Sequence, residues 1–377
     1  MSDEQAKLLL LGVGGGGGRL AAAIRTHYQG EMRVVCMDTD ALATREIQQM
    51  ALDIPCILFG GGRLAGNGTA GDTVQGGEAF KDDAEQLLEP HLQGVRTVVI
   101  LACLGAGTGG GATPKIANLL KQKGISTLCI VTRPFSFEGQ ARQAAANLGC
   151  SQIATHANAI AEIPLDDLFE EGGQATLTAA IESANRVLAR GVALLWRMVS
   201  RPGCLINVDP ERLHNLIMHG GETHFGSAVA TGDGRVGQLM GMLKGSRLLR
   251  ASETLDRART ILVGILGGED LRLTEIGDIK KQLGKWHRAE CRVEIGTVLD
   301  PEFDGRIELV VFTFENWAGS GASAEPPILE LGAVKSSKQK KKESPRLPET
   351  TGAEPNVWRG QNLDEPTFRR LDIQLDR

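Results

Sequence analysis

The sequence predicts an α/β protein, a parallel sheet covered by helices and followed by a smaller α+β unit, and three observations carry that expectation. From residue 7 to about 163, apolar strand-like runs alternate with amphipathic helical windows, the pattern of a parallel sheet. Two glycine-rich segments about ninety residues apart, 12–18 (GVGGGGG) and 105–111 (GAGTGGG), each follow an apolar run and each lead into a helical pattern. Residues 175–199 form an uninterrupted helical pattern long enough to connect two domains.

Taken in order, residues 7–11 supply the first strand. The glycines behind it keep Cβ atoms away from a turn, and 19–26 read as a helix whose N-terminus faces an anion. Further strands are expected at 32–37, 51–58, 95–103, 126–131 and 157–163. The second glycine segment holds one hydroxyl, Thr108, ahead of a helix at 113–123. Successive backbone N–H groups in two such segments form anion-binding concavities, so a polyphosphate held from two sides is the ligand they suggest. In the long helix Leu177, Ile181, Val187, Leu188, Val192, Leu195 and Val199 lie mostly on one broad face. Arg201-Pro202-Gly203 ends it and Cys204 opens a new segment. Helical windows at 210–219, 235–243 and 274–286 then separate strands at 223–230, 260–266, 291–298 and 307–314, a unit of about a hundred residues. Beyond 314 the chain is small and flexible (318–323), then basic (335–342), then rich in Pro, Thr and Glu (344–356), which reads as a disordered linker. Apolar residues return in 363–377, as a docking peptide or as a frayed tail.

Composition narrows the function. The 377 residues are 42% hydrophobic, enough for two domain cores. A net charge of −5, with charges well mixed outside one short basic run, argues against a nucleic-acid or membrane-surface partner and against direct membrane insertion. Seven scattered cysteines without a C-x-x-C pair read as reduced core thiols of a cytoplasmic protein. His214, His219 and His224 share no helix face, and no metal site held by the protein alone is expected. The N-terminal apolar stretch is too short, and its flanks too acidic, for a signal peptide or a transmembrane span.

Gly12-x-Gly14-x-x-Gly17, with Asp38 after the second strand, fits a dinucleotide fingerprint, so a dinucleotide-binding oxidoreductase is one rival reading. A second, threonine-bearing glycine cradle has no place in that scheme. Six fragments in order instead resemble the FtsZ family of the tubulin/FtsZ superfamily: LLGVGGGGGRL (10–20), MDTDA (37–41), LGAGTGGGATP (104–114), VTRPFSFEG (131–139), RPGCLINVD (201–209) and IGTVLDP (295–301). The resemblance covers roughly residues 7–314. It implies a Rossmann-like parallel-sheet GTPase domain (1–174), a central connecting helix (175–200), a smaller α+β activation domain (201–316), a disordered linker (317–360) and a partner-binding peptide (361–377).

The resemblance also implies roles. GTP, carrying Mg²⁺, would lie against Gly14, Gly15, Gly16 and Gly17 on one side and Gly105, Gly107, Thr108, Gly109, Gly110 and Gly111 on the other. Glu138 and Arg142 would sit at the ribose; their spacing also suits an i, i+4 surface ion pair. Asn207 and Asp209 would enter the pocket of the next subunit and position the attacking water, so that the enzyme works in a head-to-tail homopolymer. They equally suit the cap of a helix begun by Pro210. LDEPTFRRL (363–371) looks like the family's tether-binding peptide, implying division partners, a membrane tether and a place in the midcell division ring.

Departures stand beside these matches. Asp38 replaces the family's Asn, Arg19 replaces the Asn after the first glycines, and Ile181 aligns with the aromatic that stacks on guanine. Arg186 aligns with the Asp that reads the base; Asn185, one residue earlier, offers an acceptor if the alignment slips. In N-x-D-x-x-D the last acid is Arg212, with Glu211 about 100° away on the helix. Loss of that charge is expected to cost on the order of 2–4 kcal/mol of transition-state stabilisation, hence slow GTP turnover. A weakly hydrolysing paralogue acting as a scaffold is the alternative within the family.

Overall fold

The computed structural model describes residues 7–28, 32–168, 176–200, 206–315, 357–358 and 361–362. The first compact unit runs from Met1 to Ala324. It opens with β1 (Leu8–Val13), α1 (Gly14–His27), β2 (Val34–Asp38), α2 (Ala41–Met50), β3 (Cys56–Leu58), α3 (Gly61–Leu64), α4 (Thr73–Ala79) and α5 (Glu85–Leu88). There follow β4 (Thr97–Cys103), α6 (Gly107–Gln122), β5 (Ser126–Arg133), α7 (Gln140–Ala154), β6 (Ala159–Pro164) and the long α8 (Leu177–Ser200). The later part comprises α9 (Pro210–Met218), β7 (Gly221–Thr231), α10 (Arg235–Gly245), α11 (Ala251–Arg257), β8 (Thr260–Gly267), α12 (Leu273–Leu283), β9 (Arg292–Leu299) and β10 (Arg306–Glu315).

The strands join one ten-stranded sheet in the order β3-β2-β1-β4-β5-β6-β7-β10-β8-β9. Its first six are parallel, and the order reverses between β1 and β4, the switch point where open α/β sheets bind ligands. β7 pairs parallel to β6, and β10 runs antiparallel to both β7 and β8. Strand alternation feeds two cores. Leu8 and Leu10 face the layer under α1 and α8, whereas Leu9, Leu11 and Val13 face the α4–α7 side. The layer under α8 continues to Phe225, Leu262 and Phe312, so one helix face, with Leu188, Val192, Leu195 and Val199 about 1% exposed, lies against strands of both halves. A third core joins the far face of β7, β8 and β10 to α10–α12.

Arg197 on α8 ties the two halves by polar means. Its guanidinium donates to Asp300 at 2.6 Å, beside β9, and lies over the rings of Tyr28 and Phe303, whose centroids are 5.4 and 5.8 Å away. Both charged partners are nearly buried, so removing either one takes the ion-pair partner from a poorly solvated charge.

Three boundaries differ clearly from expectation. The third strand begins only at Cys56: Ala51 closes α2 by donating to Ile47, Ile54 turns back onto Ala51, and Pro55 has no N–H to give a ladder. The helices after the glycine runs begin at Gly14 and Gly107, five and six residues before the expected starts, so most of these glycines are helical rather than loop residues. Residues 201–205, and the expected linker and terminal peptide apart from two short strands, lie outside the described residues. Those strands, Val357–Trp358 and Gln361–Asn362, form β11 and β12 and pair antiparallel in the second unit, Glu325–Arg377.

Candidate functional site

α1 and α6 start at the carboxyl ends of adjacent strands, β1 and β4. Neither has a side-chain cap, and neither carries an acid in its first turn. Two sets of unsatisfied backbone N–H groups, and the positive ends of two helix dipoles, therefore converge. They are in contact: at Gly14, where φ is +73°, a Cβ would stand 3.0 Å from Gly109 N and 3.5 Å from Thr108 Cβ. Only glycine accepts both that backbone conformation and that neighbour. The pair of turns is built to hold an anion.

The glycines divide by task. Gly15, Gly16, Gly105 and the exposed Ala106 remain accessible, whereas Gly14, Gly17, Gly107, Gly109, Gly110 and Gly111 are buried. A side chain on Gly17 would collide with Leu101 O, and one on Gly107 or Gly111 with Thr69 or Thr73 in and before α4. Close packing of α1 on β4 and of α6 on α4 thus accounts for these positions by itself. Gly76 and Gly77 of α4 meet Gly107 and Gly111 in turn, so a third glycine-rich stretch, 60–77, supports the second. Sequence reasoning passed over it, although the doublet Gly76-Gly77 was a signal for close helix packing.

Between the two turns lies a buried polar cluster. Thr39 and Thr108 share a hydrogen bond of 2.7 Å that fastens the end of β2 to the start of α6. Asp38, 4% exposed, accepts at Oδ1 from Thr39 N at 2.7 Å and from Asp40 N at 3.4 Å, while its Oδ2 has no hydrogen-bond partner. Burial pushes this carboxyl up to about 6 against the hydrogen bonds that hold it down. Below about pH 4 it is protonated in folded and unfolded chains alike. As pH rises from about 4 to 6 the unfolded chain ionises first, so stability falls through that window by up to about 3 kcal/mol. Asp38→Asn keeps the Oδ1 acceptor and removes the charge. Allowing about 1 kcal/mol for an amide left short of a partner, the nucleotide-free variant is expected to gain about 2 kcal/mol at pH 7. Urea unfolding at pH 4 and 7 checks this: the gain should vanish at pH 4.

The other expected residues fall in two places. Glu138 and Arg142 pair with each other where β5 leads into α7, and Glu138 also accepts from Phe135 N at 2.9 Å. The surface-pair reading therefore holds as geometry, and the pair also borders the second turn, since a Cβ on Gly105 would be 3.4 Å from Arg142 Cβ. On α8, Asn185 is half-buried and Arg186 exposed. Arg19 is drawn to Glu46 at 2.7 Å.

Asn207 and Asp209 lie elsewhere. Asp209 caps α9 by accepting from Glu211 N at 2.7 Å, and both are exposed. Glu211 reaches Arg96 at 3.2 Å and Lys7 at 3.9 Å, residues that precede β4 and β1. The start of α9 is thus at the amino edge of the sheet and the glycine turns at its carboxyl edge, a six-residue strand or roughly 20 Å away. Arg212 turns from Glu211 to Glu294 on β9, at 3.0 Å, which Arg292 also holds at 2.6 Å.

Two family models match the chain: the GTPase domain of the Tubulin/FtsZ family over residues 7–172 and the C-terminal domain of the FtsZ family over residues 221–314. Cell division protein FtsZ of Pseudomonas putida is 31% identical over 363 residues, 96% of this chain and 88% of that protein. The same protein of Coxiella burnetii is 30% identical over 379 residues, covering 100% and 93%. An empty FtsZ dimer from M. jannaschii matches at a TM-score of 0.75 and 27% identity, over 82% of this chain and 88% of its own. The protofilament of CetZ2 from Haloferax volcanii shares the fold, with a TM-score of 0.67 at 21% identity, over 82% of this chain and 93% of its own. The expected fold class is borne out, and neither a weakly hydrolysing scaffold paralogue nor a dinucleotide-binding oxidoreductase is favoured.

Proposed function

Because the chain belongs to the FtsZ family of GTPases, we propose that GTP lies across the paired starts of α1 and α6, and that its hydrolysis is completed by a second copy of the chain. The observation that carries this reading is the separation just described: one chain presents a phosphate cradle at one edge of its sheet and Asn207 with Asp209 at the other. No motion of exposed side chains closes roughly 20 Å. Stacking one copy's amino edge on the next copy's carboxyl edge does so, and the contact is heterologous and open, giving a filament.

In the cradle, N–H groups of the two helix starts neutralise phosphate charge. The residues also suit the Mg²⁺ carried by the nucleotide: the unpartnered Oδ2 of Asp38 and the Thr108 hydroxyl are hard oxygen donors, and the metal would supply charge neutralisation on the phosphates. Glu138 and Arg142 would exchange their mutual contact for the ribose, and Asn185 is the acceptor for the base. Asn207 and Asp209 of the neighbour would orient the attacking water. With Arg212 where the family has an acid, turnover is slow.

Among the described residues no helix is long and apolar enough to cross a membrane. The division-ring role follows the relatives. Placement at midcell, a membrane tether and division partners are proposals that rest on 361–377. Sedimentation with GTP, GDP and ATP tests the core of this reading. GTP alone should pellet the protein; equal pelleting with ATP, or none with GTP, would contradict it.

A further inference from the structure

β2 and β3 are parallel neighbours in which Cys36 and Cys56 stand directly opposite one another. Register partners on adjacent strands project to the same face, about 4.8 Å apart along the sheet. That spacing falls within the Cα range of about 4.4–6.8 Å that a disulfide spans. Both side chains meet the core under α1, Cys36 within it and Cys56 packed against it. Among the described residues no other two cysteines are register partners.

The two thiols are unequal. Cys36, on an inner strand, is 2% exposed; Cys56, on the edge strand, is partly open to solvent. The Cys36 S–H has two acceptors within reach, the Cys56 sulfur and Gly18 O at 3.8 Å. Donation to Cys56 favours the Cys56 thiolate, so the accessible thiol is pulled down. An accessible, acidified cysteine beside a protected one is the arrangement of an attacking and a resolving thiol.

We propose that Cys36 and Cys56 are a reversible disulfide site, oxidised by hydrogen peroxide with Cys56 as the attacking thiol and Cys36 as the resolving one. The Cys56 thiolate attacks one peroxide oxygen, the O–O bond breaks, and hydroxide leaves with a proton as the first water. The resulting sulfenic acid is then attacked by the Cys36 sulfur. The S–O bond breaks as S–S forms, and the departing oxygen takes the Cys36 proton as the second water. Two thiols have lost two electrons and two protons, and one peroxide has become two waters. A dithiol reductant reverses the change by exchange through Cys56, the more accessible sulfur. Nothing in this proposal depends on which nucleotide the neighbouring cradle holds.

The test uses the full chain, treated with stoichiometric hydrogen peroxide, blocked with an alkylating agent and mapped without reduction. Residues 34–45 and 46–63 are separate tryptic peptides, each with one of the two cysteines. They should emerge as one species lighter by about 2 Da than their sum and separate again with dithiothreitol. In Cys36→Ser the Cys56 sulfenic acid should persist and be trapped by dimedone; in Cys56→Ser, at the sheet edge, the linked species should be absent. Recovery of wild-type peptides 34–45 and 46–63 unlinked, with Cys56 alkylated as in untreated protein or trapped as sulfenic acid to the same extent as in Cys36→Ser, would overturn the proposal.

Discussion

Asp209→Asn is expected to lower GTP turnover by about two to three orders of magnitude while leaving stability within a few tenths of a kcal/mol. Under the proposed reading Asp209 has two roles. Its Oδ1 accepts from Glu211 N and caps α9, and its carboxylate is exposed where the next subunit would meet it. The two roles separate by substitution, because Asn caps as well as Asp whereas Ala does not. Asp209→Ala should therefore lose about 1 kcal/mol of stability in addition to the same drop in turnover. Nucleotide affinity of the unassembled chain should be unchanged in both, since the cradle is roughly a strand length away. Phosphate release at saturating GTP, alongside urea unfolding, reads both effects. A rate loss in Asp209→Ala alone would mean that the residue acts only as a cap.

Arg212→Asp is expected to raise assembly-dependent turnover by about two decades, since a restored carboxylate at the polymer contact contributes on the order of 2–4 kcal/mol to the transition state. The surroundings permit the change. Arg212 is half-exposed, so solvent screens its side of the pair with Glu294, which is worth on the order of 1 kcal/mol. Glu294, itself nearly buried, keeps Arg292 at 2.6 Å and is not left alone by the substitution. Glu211 offers no substitute, because Arg96 and Lys7 hold it against the amino edge of the first domain's strands. Arg212→Ala removes the cation without adding an acid and should gain less. A rate for Arg212→Asp equal to wild type would show that this position has no part in slow turnover.

Much of the architecture was legible because local signals and tertiary demands agree. The strands of the first domain are buried almost along their whole length, β1 and β4 nearly all apolar, as strands covered on both faces are, and α8 carries an unbroken apolar face from Leu188 to Val199. The helix starts were not legible. Glycine is a poor helix former, so five in a row read as loop, yet α1 begins on them because β4 passes too close for any side chain at Gly17. The same holds at Gly107 and Gly111 against α4. Asp38 could be named from its place after the second strand, but not its unpartnered Oδ2, which depends on Thr39, Thr108 and the turn above them folding together. Nor could the sequence pair Arg212 with Glu294, a contact between α9 and β9 that depends on how the whole sheet is assembled. The separation of the cradle from Asn207 and Asp209 is likewise a property of the sheet's direction.

That separation makes a mixing measurement the most direct test of hydrolysis between copies. Gly15→Asp places a carboxylate at the accessible part of the cradle, where a Cβ has no contact closer than 3.3 Å, and should be inactive because it repels phosphate. Asp209→Asn should be inactive because it fails its neighbour. Combined in equal amounts, the two restore one kind of contact, the intact cradle of an Asp209→Asn chain against the intact Asp209 of a Gly15→Asp chain. Random assembly makes that contact at about one interface in four, so turnover should recover to about a quarter of the wild-type value. A mixture as inactive as its parts, under conditions where wild type hydrolyses GTP, would contradict a site shared between copies.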